Sequence, residues 1–113
     1  MKQLTETLKK ELVQRIVRNL LDIQILRLIQ TEPTWGYKIK KQVAEKFDVK
    51  LRHGALYPLL KSLQEKGFIT SQKQQQKGRT RKTYTITKKG IDYIATYATV
   101  LKEQIEYKDI KQY

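Results

Sequence analysis

The chain has 113 residues, enough for one domain with a modest core. It holds no cysteine, which removes disulfides and thiolate metal sites and suits a reducing cytoplasm. Lys and Arg number 24 against 11 Asp and Glu, a net charge of +13 that favours a polyanionic partner, nucleic acid or an anionic membrane surface.

The N-terminal residues MKQLTETLKKELVQRIV are too charged for a signal peptide, and no apolar run approaches the roughly 20 residues of a membrane span. A cytoplasmic, soluble protein with no membrane partner is expected. From about Thr5 to Gln30, Leu4, Leu8, Leu12, Ile16, Leu20 and Ile23 recur at helical spacing among charged and amide residues. Asn19 and Asp22 allow a break, so this first segment is one long helix or two. It ends at Thr31-Glu32-Pro33-Thr34, because the residue before a proline is driven out of the helical region. A second helix, about Gly36 to Lys46, carries Ile39, Val43 and Phe47 as its apolar stripe. A third, about His53 to Lys66, turns Leu56, Leu59, Leu60 and Leu63 inward and stops at Gly67. Pro58 keeps the start of that helix close to Gly54.

The period then changes. Residues 68–71 and 83–87 read as short strands, the second alternating apolar and polar. The polar, cationic stretch 72–82 between them, with Gly78 near its tip, is expected to be a projecting, mobile loop. Thr87 is a candidate N-cap for a last helix reaching about Asp109. In it Ile91, Ile94, Ala98, Leu101 and Ile105 repeat at intervals of three and four, a seam suited to a second helix.

The fold class expected is mainly α with a small β-hairpin: a winged helix-turn-helix plus a long C-terminal dimerisation helix. Residues 1–87 form the N-terminal extension and DNA-binding domain and 88–113 the dimerisation helix, as one compact unit. In such a motif the later helix lies in the major groove and the hairpin, or wing, touches phosphates or the minor groove. Charge follows this geometry. From Lys66 to Ile91 the basic residues are Lys66, Lys73, Lys77, Arg79, Arg81, Lys82, Lys88 and Lys89, with no acid among them.

Three stretches carry a resemblance: Gly36-Tyr37-Lys38-Ile39, then Gly54-Ala55-Leu56-Tyr57-Pro58-Leu59-Leu60 continuing to Ile69, then Arg81-Lys82-Thr83-Tyr84-Thr85-Ile86-Thr87-Lys88-Lys89-Gly90. Together they resemble the PadR family of transcriptional regulators over about residues 20 to 105. The resemblance implies a homodimeric winged-helix regulator, usually a repressor, dimerised through its C-terminal helix. The chain departs from the family pattern at Ala55, where a threonine is common, and in having one C-terminal helix where larger members have several.

Candidate DNA contacts are Arg52, His53, Tyr57 and Lys61 at the third helix, and Tyr37, Lys38 and Lys41 on the second. The wing adds Lys73, Lys77, Arg79, Arg81 and Lys82. Arg52 is suited to a guanine edge or a phosphate, while the lysines and tyrosines suit phosphate, Tyr37 with packing against Trp35 as its alternative. The dimer interface is expected from Ile91, Ile94, Ala98, Leu101 and Ile105, joined by Leu4, Leu8 and Leu12. His53 is the only histidine and cannot build a multi-histidine metal site. There is no cysteine nucleophile and no phosphate-binding glycine loop, so neither enzyme nor cofactor is expected. A small-molecule effector fits such a fold but no residue indicates one. Two other readings remain at this point: a non-specific nucleic-acid architectural protein, and a module whose terminal helices engage a different protein.

Overall fold

The structure, a computed structural model, describes residues 2–106, with side chains from residue 5 onward except that of Gln76. Seven elements follow in order: α1 (Lys2–Asn19), α2 (Leu21–Thr31), α3 (Gly36–Phe47), α4 (His53–Glu65), β1 (Ile69–Gln76), β2 (Arg79–Ile86) and α5 (Lys88–Ile105). The N-terminal segment is thus two helices. The break falls at Leu20, whose φ of −113° and ψ of 40° leave the helical region, while the Asn19 amide donates to the Arg15 carbonyl at 2.9 Å.

The core forms where α2 is covered. Its Ile25, Leu26 and Ile29 are buried against Ile39 and Val43 of α3, Leu56, Leu60 and Leu63 of α4, and Ile69 and Tyr84 of the hairpin. α1 contributes Val17 to this core. It is fastened to the end of α3 at Asp48, which pairs with Lys10 at 3.2 Å and whose carbonyl accepts from the Gln14 amide at 3.1 Å. α4 ends as its sequence requires. Gly67, at φ +82°, lets its own N–H reach the Gln64 carbonyl and the Phe68 N–H reach that of Leu63, each at 3.0 Å.

The expected mobile loop at 72–82 is not a loop. β1 and β2 pair antiparallel from Ile69↔Ile86 to Gln76↔Arg79, so only Lys77 and Gly78 turn the chain. Both have positive φ, 50° and 78°, the pattern of a type I′ turn, whose twist matches that of the strands it joins. Residues 72–75 are exposed, so the strand needs no apolar alternation and its sequence shows none. Thr34 extends the sheet by one isolated bridge, exchanging backbone hydrogen bonds of 3.1 and 2.7 Å with Tyr84.

α5 starts at Thr87, as expected, with the Gly90 N–H donating to the threonine Oγ1 at 3.1 Å. The same hydroxyl donates to the Gly67 carbonyl at 2.7 Å, and the Lys89 ammonium donates to the Lys66 carbonyl at 2.8 Å. The first turn of α5 is therefore tied to the end of α4. Tyr93 then stacks on Phe68 at 4.3 Å and its hydroxyl faces Asp22 at 3.5 Å. Burial, and after it the Asp22 carboxylate, raises the Tyr93 and Tyr97 phenols above their usual pKa, so both stay protonated. Among the described residues the helix runs to Ile105, with Glu106 at the cap; its expected end near Asp109 lies outside them.

Candidate nucleic-acid interface

α3 and α4 form the helix-turn-helix, and an open groove of about 840 Å³ runs between them and the wing. Trp35, Tyr37, Tyr57, Lys61, Arg79, Arg81, Lys82 and Tyr84 are among its lining residues. Four of the lining side chains are cations, and Glu65 is the one carboxylate among them. Burial, and secondarily Tyr57, raises the pKa of Tyr84 above its ordinary value.

Tyr57 serves as both packing and surface. Its hydroxyl lies so close to Gly36 that a β-carbon there would stand 2.2 Å from it, so the absence of a side chain at the start of α3 seats the ring. His53, one turn earlier on α4, lies tilted against the same ring at 4.2 Å, and the Lys40 ammonium stands 5.5 Å from its centre. Gly36 and Lys40 were not among the expected contacts. They share the face of α3 turned toward Tyr57, which spacing within α3 alone does not reveal.

The other expected residues divide. Arg52, His53 and Lys61 are exposed at α4, with Arg52 at its N-cap. Pro58 lies in the second turn, and the carbonyl it cannot bond belongs to exposed Gly54, open to water. Tyr37 is 70% exposed instead of packing on Trp35. Lys41 is exposed, whereas Lys38 is half-buried and ion-paired with Glu32. On the wing Lys73, Lys77, Arg79 and Lys82 are exposed. Arg81 is half-buried, its guanidinium 4.3 Å from the centre of the Trp35 ring.

Of the expected interface residues, Leu8, Leu12, Ile91, Ala98, Leu101 and Ile105 are exposed, and Ile16 and Val100 join them. Ile94 is only half-exposed and packs against the chain's own core. The side chain of Leu4 lies outside the described residues. No group of three or more His, Cys, Asp or Glu that could hold a metal ion exists among the described residues. No helix among them is long and apolar enough to cross a membrane.

Three helices closed by a two-stranded wing, with a cationic groove between the wing and α4, define a winged helix-turn-helix protein. The sequence pattern of the PadR-like family of transcriptional regulators matches residues 25–96, well over half of the chain, and the chain belongs to that family. It is therefore a DNA-binding regulator of transcription and not an enzyme. Solved structures agree. A PadR family transcription regulator from Clostridium difficile R20291 is 33% identical, with 80% of this chain and 90% of that one covered and a TM-score of 0.61. A protein described as a transcriptional regulator from Thermoplasma acidophilum is 31% identical, with 87% and 91% covered and a TM-score of 0.69. A PadR family regulator from Eggerthella lenta, 21% identical with 92% and 91% covered and a TM-score of 0.74, shares the fold. No curated protein sequence matches the chain.

Proposed function

We propose that the protein is a homodimeric, sequence-specific regulator of transcription in the cytoplasm, and by family resemblance a repressor. In this reading α4 enters the major groove, with Arg52 nearest the base edges and Tyr57 and Lys61 on phosphate. The wing lysines and Arg79 lie along the sugar-phosphate backbone or the minor groove. The observation that carries it is the groove itself, whose walls set Lys61 of α4 opposite Arg79, Arg81 and Lys82 of β2. Such convergence of cations from two elements is what a duplex backbone passing between them needs.

A dimer follows from the apolar residues that the core leaves uncovered. Leu8, Leu12 and Ile16 recur every fourth residue on α1, and Ile91, Leu101 and Ile105 lie along α5. Covering both faces with a second copy removes this area from water and supplies the two-fold symmetry of a palindromic site. Residues 88–113 then act as the dimerisation helix of a single unit with the domain at 1–87.

Selection of bound fragments from a random duplex pool at about 150 mM salt, where non-specific attraction is weak, tests the reading. A pseudo-palindromic consensus is expected. Tight binding with no consensus would instead mean a non-specific architectural protein. Two substitutions separate the roles of the cations. Lys77→Ala should weaken binding to every sequence alike and lower the slope of log affinity against log salt by roughly 0.9 for each subunit of the dimer. Lys and Ala meet similar strain at the φ of 50° there, so charge is what changes. Arg52→Ala should cost about 1–3 kcal/mol for each half-site of the consensus and relax preference at one base position in each. Equal losses on consensus and random duplex would remove Arg52 as a base reader.

A further inference from the structure

We infer that Arg81 is a positioning residue: by stacking its guanidinium on the indole of Trp35 it sets the pitch of the wing against α3 and α4. This rests on the DNA-binding reading only for its consequence, since the contact itself belongs to the free protein.

Among the wing cations Arg81 stands apart in its surroundings. Its neighbours Arg79 and Lys82 are exposed, and Arg81 is half-buried. Its guanidinium lies 4.3 Å from the Trp35 ring centre, whereas the lysine–aromatic contacts among the described residues run from 5.3 to 5.8 Å. A planar guanidinium stacks on an indole face at such a distance and an ammonium does not do so equally well.

The sheet register explains why these two residues meet. The bridge between Thr34 and Tyr84 lays residues 33–35 along the outer edge of β2. Trp35 then falls opposite Thr83 and diagonal to Arg81 on one face of the sheet, within reach of a long side chain. Trp35 is also the residue from which α3 begins, in extended conformation and with no side-chain cap. Its Nε1 is buried and has no hydrogen-bond partner, so the ring is held by packing on its faces. The stack thus joins the middle of the wing to the origin of the helix-turn-helix. Toward the tip, β1 and β2 contribute no residue to the buried core, so the wing's angle depends on contacts at its base.

The consequence is a division of labour along β2. Lys77, Arg79 and Lys82 present charge, and Arg81 decides where that charge lies relative to α4. Arg81→Lys keeps the charge and weakens the stack, and so distinguishes this from a simple phosphate contact. In the DNA-free variant, acrylamide should quench Trp35, the only tryptophan, about twice as efficiently as in the unaltered protein. Affinity for duplex should fall on the order of fivefold, with the salt slope unchanged. Trp35→Phe, which keeps an aromatic face, should bind within about twofold of the unaltered protein. Trp35→Ala and Arg81→Ala should be non-additive when combined.

Unchanged quenching together with unchanged affinity in Arg81→Lys would overturn the inference. So would additive losses for the two alanine variants, with a salt slope lowered by Arg81→Ala alone, which would make Arg81 an ordinary phosphate contact. If the unaltered protein bound no duplex, the DNA-binding reading would fail separately, while the quenching of Trp35 would still decide the stack.

Discussion

Leu101→Asp should convert a dimer of twice the 13.4 kDa chain mass into monomers, read by sedimentation, and lower affinity for a palindromic duplex by about 100-fold or more. Leu101 is 40% exposed in the single chain, so the new carboxylate is hydrated in the monomer and its fold is retained. In the proposed interface the same carboxylate would be desolvated against apolar side chains of the second copy, a cost of several kcal/mol. Loss of one subunit removes the second half-site contact, which is why a change far from α4 reaches DNA affinity. A dimer that survives the substitution would place the interface elsewhere than the outer face of α5.

Gly90→Ala should destabilise the fold by about 2–3 kcal/mol, a fall of roughly 10–15 °C in melting temperature at fixed protein concentration. A β-carbon at Gly90 would stand 2.3 Å from the Phe68 carbonyl oxygen and 2.8 Å from the Ile86 side chain. The first obstacle is backbone and cannot rotate away. α5 would have to lift, stretching the bonds from Thr87 to Gly67 and from Lys89 to Lys66 that tie it to α4. Gly54→Ala is the control, because nothing lies within 4 Å of a β-carbon there and alanine favours the helix. An unchanged melting temperature in Gly90→Ala would mean that α5 docks more loosely than these distances require. Because α5 is tied to α4 at this point, the variant should also blur the half-site spacing that a dimer reads.

Much of this was legible before the fold. Apolar spacing marked α2 to α4 because each buries one face, and period is all that a buried face needs. Thr87 was readable as a cap, since a threonine oxygen three residues before a free N–H is a local event. The cationic stretch from Lys66 to Ile91 announced a polyanion partner, because charge is counted and not folded.

What escaped the sequence depends on partners distant along the chain. The stretch of β1 at residues 72–75 is exposed on both faces, so no alternation betrays it. Its ladder exists because Lys77 and Gly78 accept positive φ and the strands lie in register. Ile94 shares the seam with Ile91 and Leu101, yet only the docking of α5 turns it onto the core. Tyr57 on Gly36 and Arg81 on Trp35 join residues about 20 and about 45 positions apart, across elements whose crossing no local pattern encodes. By itself the sequence marked α2 to α4 with their buried faces, the cap of α5 and the sign of the field. Tertiary packing alone decided which charges remain presented to a duplex and which are spent on an aromatic ring, because that depends on distances set when separate faces meet.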